Sequence, residues 1–206
     1  MIPARGGATG RPRVSSRRTI EEAAAELFLE RGYDGTTVDD IARRAGVGRA
    51  TFFNYFPSKP DLLWVDVDEA LSRLQEALEA VGSDGGLDAV IGALEAVGGE
   101  LGPDRIPLAV LQSDVMGGAA ETAAAGFARA ARLTGMLQRA VTAAVPGADP
   151  VGRASAASAL AGAAVSAWYG WAAAGVRRGP IAPYLSRALA VVRGGVDAAF
   201  GRLPGG

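Results

Sequence analysis

Residues 48–64 read GRATFFNYFPSKPDLLW. Phe52, Phe53, Tyr55 and Phe56 fall within five positions, Pro57 follows at once, and Lys59 is the only lysine of the chain. On a helical wheel of about 100° per residue, Phe52, Phe53 and Phe56 share an arc of about 100° with the stem of Arg49. Ala50, Thr51, Asn54 and Tyr55 take the other side. The three phenylalanines are expected to lock this short helix onto Leu27, Phe28, Ile41 and Val47. A domain of roughly 45 residues buries little area and needs large side chains for its cohesion.

The flanking sequence predicts two helices before this one. Ile20, Ala24, Leu27 and Phe28 recur at i, i+4, i+7 and i+8, one face of a helix that Gly32 ends. Thr19 and Glu22 have capping-box spacing, and Ser15 or Ser16 offers a start one turn earlier. Thr37 then caps a second helix carrying Val38, Ile41, Ala42 and Ala45, stopped by Gly46. Two short helices joined at a tight glycine turn have the pattern of a helix-turn-helix. Beyond Pro57, Ser58 reads as the cap of a fourth helix, with Pro60 and Asp61 in its first turn. Leu63, Val67, Ala70, Leu71, Leu74 and Leu78 form its inward stripe as far as Val81. Further helices are predicted near 87–101, 105–116, 119–145, 150–175 and 182–201, punctuated by Pro103, Gly117-Gly118, Pro146-Gly147 and Gly179-Pro180. No run alternates as a strand would, so the predicted class is all-α.

The face of residues 49–56 opposite the phenylalanines has no long charged chain at its centre. Small side chains let a helix enter a DNA major groove about 12 Å wide, where the Asn54 amide can meet adenine and the Thr51 methyl can meet thymine. Arg49 can reach a guanine edge or a phosphate. Thr37 at one helix start, and Ser58 with Lys59 at another, suit phosphate oxygens. Tyr55 adds a hydroxyl, and Arg17 and Arg18 add charge without sequence preference. The charge distribution agrees: residues 1–59 hold ten Arg/Lys against seven Asp/Glu, whereas residues 60–206 hold eleven against fifteen.

Composition excludes several chemistries. The chain lacks both Cys and His, which removes disulfides, thiolate chemistry, the usual zinc ligands and the commonest general base. Asp66, Asp68 and Glu69 span different helix faces and read as solvated charge, so an enzyme has little to work with. A membrane alternative rests on residues 154–176, ASAASALAGAAVSAWYGWAAAGV, which carry no charge but are mostly Ala, Gly and Ser. A cytoplasmic location is the expectation.

Residues 17–64, RRTIEEAAAELFLERGYDGTTVDDIARRAGVGRATFFNYFPSKPDLLW, resemble the DNA-binding domain of the TetR family of bacterial regulators. The matching signatures are F-x-x-x-G-Y/F-x-x-T-T-V-x-x-I-A and A-G-V-x-x-x-T-F/L-x-x-Y-F-x-S-K. Pro60 departs from the acidic or polar residue often found there. The string TFFNYFPSK-DLLW further resembles a branch of mycofactocin-associated actinobacterial regulators. The resemblance implies that Thr37, Arg49, Ala50, Thr51, Asn54, Tyr55 and Lys59 touch DNA, while Phe52 and Phe56 are core. It also implies a basic arm over 1–14, a helix-turn-helix domain over 15–60 and a larger helical domain over 61–206 that dimerises and binds a small effector. The expected function is that of a ligand-responsive regulator, most often a repressor, reading a palindromic operator in double-stranded DNA as a homodimer, without cofactor, metal or membrane.

Two apolar stripes in the carboxyl-terminal part support dimerisation. Leu185, Leu189, Val192, Val196 and Phe200 form one, and Ala156, Leu160, Ala163, Ala167 and Trp171 the other. Paired with their symmetry mates these helices would make a four-helix bundle; the alternative is packing within one chain. Trp64, Met116, Phe127, Met136, Trp168 and Tyr169 are candidates to line an effector cavity, with Gln112 or Asp114 as polar handles. Low polarity there points to a small hydrophobic or acyl-type effector.

Overall fold

The computed structural model describes residues 13–82, 85–101, 119–174 and 179–200. Its first three helices are α1 (Arg13–Arg31), α2 (Val38–Arg44) and α3 (Arg49–Tyr55). A 3-10 turn, Pro60–Trp64, leads into α4 (Val65–Val81), followed by α5 (Gly86–Gly99), α6 (Ala119–Ala144), α7 (Pro150–Ala173) and α8 (Ala182–Phe200). No strand occurs among the described residues. The helix predicted near 105–116 lies outside them.

Local chemistry fixes most of the boundaries. Thr37 is the N-cap of α2 in a reciprocal capping box with Asp40. Gly46 turns the chain between α2 and α3 at φ 67°, in the left-handed region that a side chain would strain. Asp149 caps α7 by accepting from the amides of Val151 and Gly152 at 3.0 and 2.9 Å, with Pro150 at the first helical position. Two expected caps differ. α1 starts at Arg13, so Thr19, Ser15 and Ser16 lie inside it, since no glycine or proline interrupts 13–31. Ser58 does not cap α4; its hydroxyl donates to the Asp61 carboxylate at 2.7 Å, and α4 begins only at Val65.

Two cores form. Ile20, Ala24, Leu27, Phe28, Ile41, Phe52 and Phe56 make the first, and Leu62 and Leu63 join it. The split between the cores therefore falls after the 3-10 turn rather than at residue 60. Leu71, Leu74 and Leu78 of α4 meet Val90, Ile91 and Leu94 of α5, Leu137 and Val141 of α6, Leu160 and Trp171 of α7 and Leu189 of α8 in the second. The Trp171 indole N–H donates to the carbonyl of Gly179 at 2.7 Å, tying the end of α7 to the start of α8. α6 packs directly on the 3-10 turn and so touches the segment that leaves the first domain.

Candidate nucleic-acid interface and apolar cavity

α3 sits on the first core by one edge. Phe52 is fully buried, and Phe56, just past the helix end in extended conformation, is 2% exposed. Phe53 does not join them: it is 43% exposed, stands edge-on to Phe52 and lies under the Arg49 guanidinium at 5.3 Å from its ring centroid. A two-turn helix on a small domain offers shelter to fewer than three rings side by side, and Phe56 reaches the core by leaving the helix. Ala50 and Asn54 are exposed and Thr51 is half-buried, so all three lie on the accessible face as expected. Tyr55 is half-buried and packs against the first core, which leaves its ring structural.

The cationic groups around this face are engaged with carboxylates. Arg49 bonds Asp39 of α2 at 2.6 Å, a partner that sequence spacing did not reveal. Arg17 bonds Glu21 at 2.8 Å and lies 5.3 Å from the Phe56 ring centroid, while Arg18 bonds Glu22 at 2.9 Å. The Arg49 and Arg18 pairs are exposed and weak, so phosphate can exchange for their carboxylates at little cost, whereas the Arg17 pair is partly buried. Lys59 is held differently. Its ammonium donates to the carbonyls of Tyr33 and Thr36 at 3.0 and 3.1 Å and sits 3.9 Å from the Tyr33 ring centroid. Lys59 thus clasps the turn between α1 and α2, a structural duty in addition to the phosphate contact expected of it. On another side, Arg44 forks to Glu30 and Glu26 at 2.8 and 3.0 Å. Its hydrogen bond holds the Glu30 carboxyl below the usual range, and Arg44 is pushed up in return.

Thr37 is exposed, with both its polar groups in the capping box. Its hydroxyl donates to Asp40 Oδ2 at 2.6 Å and accepts from the Asp40 amide at 3.1 Å, while its own amide donates to Oδ2 at 3.2 Å. The Thr37 hydroxyl, then its amide, hold the Asp40 carboxyl below the usual carboxylate range, against the opposing effect of burial; Arg43 adds to the lowering. A lowered folded-state pKa stabilises the fold at neutral pH, and that stability is lost as pH falls through the lowered value, below about 4. Thr37→Val is expected to reduce the folded-to-unfolded ratio of the first domain about fivefold at neutral pH. It should also flatten the acid limb of an unfolding titration followed by circular dichroism.

Between α4, α5, α6, α7 and α8 lies a cavity of about 220 Å³. Trp64, Phe127, Trp168 and Tyr169 line it as expected, with Phe127 and Tyr169 exposed by 76% and 66%. Met136 does not; it is 3% exposed within the second core. Gln112, Asp114 and Met116 lie outside the described residues. The described wall includes a residue that the sequence reading did not anticipate, Arg129 of α6. Its side chain, 11% exposed, pairs with Asp61 of the 3-10 turn at 3.0 Å and with Asp68 of α4 at 2.5 Å, beside the Trp64 ring. Asp68 is therefore not the solvated charge it was read as; its partner is 61 residues away, beyond any local pattern.

The expected dimer stripes are also spent within one chain. Ala156, Leu160, Ala163, Ala167 and Trp171 of α7, with Leu185 and Leu189 of α8, are all buried in the second core. Val192 is half-buried against it, and the side chain of Val196 lies outside the described residues. The described residues of both stripes form the intramolecular seam, the alternative to a dimer contact.

Residues 20–63 match the family described as bacterial regulatory proteins, tetR family. A regulator named MftR, for mycofactocin biosynthesis, from Mycobacterium tuberculosis is 41% identical over 74 residues, which are 36% of this chain and 37% of that protein. The chain thus aligns with little more than a third of that relative's length. Similarity of fold extends further. A TetR-family regulator from Streptomyces coelicolor superimposes with a TM-score of 0.56 at 26% identity, over 94% of this chain and 98% of that one. FadR of Thermus thermophilus, a TetR-family repressor solved with lauroyl-CoA, gives a TM-score of 0.53 at 22% identity over 92% and 100% of the two chains. Residues 20–63 thus carry the amino-terminal domain of the tetR family of bacterial regulatory proteins, and the helical architecture as a whole is similar to that of TetR-family regulators.

Proposed function

We propose that this protein is a homodimeric, effector-responsive repressor of transcription in the cytoplasm, which reads a two-fold symmetric operator through α3. The observation that carries this reading is the accessible face of α3, with Ala50, Thr51 and Asn54 presented by a helix whose Phe52 is buried beneath it. Arg49 and Thr37 flank that face, and Arg17 and Arg18 supply further charge toward the phosphates. The working division is an amino-terminal DNA-binding domain through residue 64 and an effector and dimerisation domain beyond it. The cavity supports a small apolar effector, and FadR, with its bound lauroyl-CoA, supports an acyl-type one. No helix among the described residues is long and apolar enough to cross a membrane. Selection of bound sites from a random DNA pool tests the central point. Paired, inverted half-sites are expected, and the absence of any recurring motif would overturn the reading.

For the dimer, the proposal moves to the other side of α7 and α8. Ser155, Ser158, Ala159, Gly162, Ser166 and Gly170 are exposed along α7 and carry no charge, and Val191 of α8 is 82% exposed. Such small side chains let a second copy approach closely, and an unpartnered Val191 gains from being covered. A Cβ at Gly162 would meet nothing within 4 Å, so a larger side chain fits the single chain. Gly162→Arg is expected to yield a folded monomer in sedimentation, with operator affinity lower by at least about tenfold as the second half-site is lost. A variant that stays dimeric would place the interface elsewhere.

A further inference from the structure

The cavity wall changes character between its buried and its exposed parts. Leu74, Leu94 and Leu185 are buried hydrocarbon, closed to solvent. Phe127 of α6 and Tyr169 of α7, both largely exposed, carry the wall where it meets water, and Ala123, one turn before Phe127, is exposed as well. Arg129 is the one charged residue among the described residues of the wall, and its donors are already engaged. Nε donates to Asp68 Oδ1, Nη2 to Asp61 Oδ1 and Nη1 to the carbonyl of Ala125, each at 3.0 Å. A second donation from Nη2 reaches Asp68 Oδ2 at 2.5 Å. Two carboxylates thus face one guanidinium, so an anion brought inside would meet like charge. The Trp64 indole N–H is sealed from any surface and offers a ligand nothing either.

We infer that the cavity takes a single-chain amphiphile tail first, with its hydrated head group left in water beside Phe127 and Tyr169. This inference rests on the reading of the cavity as an effector site and deepens it. Each methylene moved from water onto the leucines is favourable, whereas a charged or strongly hydrated head carried inside finds no partner to replace its water. At the exposed end the head keeps its hydration, and the rings of Phe127 and Tyr169 can cover the first carbons behind it. At about 30 Å³ for each water-sized group, the cavity of about 220 Å³ holds a tail of roughly seven such groups.

The test titrates the whole protein, at neutral pH and low salt, with straight-chain alcohols from butanol to decanol and carboxylates from butanoate to decanoate, read by calorimetry. In both series affinity is expected to rise about fourfold with each added carbon until roughly seven or eight are present, and by less than about 1.5-fold thereafter. Octanol and octanoate should agree within about fivefold, since neither head leaves water. Phe127→Lys and Phe127→Glu then set opposite charges at the exposed end. Octanoate should bind Phe127→Lys about fivefold tighter than Phe127→Glu, with octanol differing less than about twofold, and added salt should shrink the contrast. An octanoate-to-octanol ratio that ignores both substitutions, affinity that climbs through decanol without a break, or no binding in either series overturns the inference. The chain-length break is read on the unaltered protein, so it stands even where a substitution fails to fold. Operator affinity measured with and without octanol separates the two readings. Tail-first binding that leaves operator affinity unchanged overturns only the effector reading; retained operator binding by a protein that takes up neither series overturns only this inference.

Discussion

Phe52→Ala is expected to unfold the amino-terminal domain and abolish operator binding while leaving the helical body intact. Phe52 is fully buried, in ring contact with Phe56 at 5.8 Å between centroids, in a core built from three helices, two of them short, and one turn. Truncating a buried phenylalanine costs about 3–5 kcal/mol, a large share of what so small a core can supply. Phe53→Ala is the matched control. Its ring is 43% exposed, so the loss in stability should stay below about 1 kcal/mol. Urea unfolding with limited proteolysis separates the two outcomes: only Phe52→Ala should release residues 13–64 to digestion under native conditions. Similar losses for both variants would mean that the asymmetry between the two rings is not what holds α3.

Arg129→Met has the second large expected effect, and it reaches the DNA-binding domain from outside. Arg129 joins α6 to Asp61 in the 3-10 turn and to Asp68 in α4, so its removal leaves two partly buried carboxylates facing each other without a cation. Breaking such a pair costs about 3–5 kcal/mol when fully buried, and about 2–3 kcal/mol is expected here because Asp61 and Asp68 retain 21% and 31% exposure. Adding Asp61→Asn and Asp68→Asn to Arg129→Met should restore much of that loss, since the uncompensated charges are gone. Denaturant titration of the single and triple variants measures both. If the triple variant is no more stable than the single one, charge is not what the cluster contributes. Operator affinity should also fall in Arg129→Met, although no group of α3 has changed.

What could be read from the chain beforehand follows from the range of each interaction. Thr37, Gly46 and Pro57 act within a turn of themselves, so the boundaries of α2 and α3 were legible, as was the accessible face holding Thr51 and Asn54. Phe53 was misplaced because a wheel treats residues 49–56 as one helix, whereas Phe56 lies past its end at φ −131°. The dimer stripe failed for a different reason. From Ala154 to the end of α7 there is no charged residue, so no polar face marks which side turns outward. Arg129 was invisible because its partners lie 61 and 68 residues away. Contacts of that separation carry the link between the cavity and the DNA-binding domain, and only the fold brings them together.

The claim on which the rest depends is that α3 reads bases. The direct measurement is the affinity of wild type and Asn54→Ala for the selected operator, for operators changed at each base pair, and for random DNA, across a range of salt. Wild type should prefer the operator by at least about a thousandfold, with steep salt dependence. Asn54→Ala should lose about 1–3 kcal/mol on the operator, lose discrimination at one position of each half-site, and bind random DNA as wild type does. An Asn54→Ala protein that discriminates every position as wild type does would contradict the account.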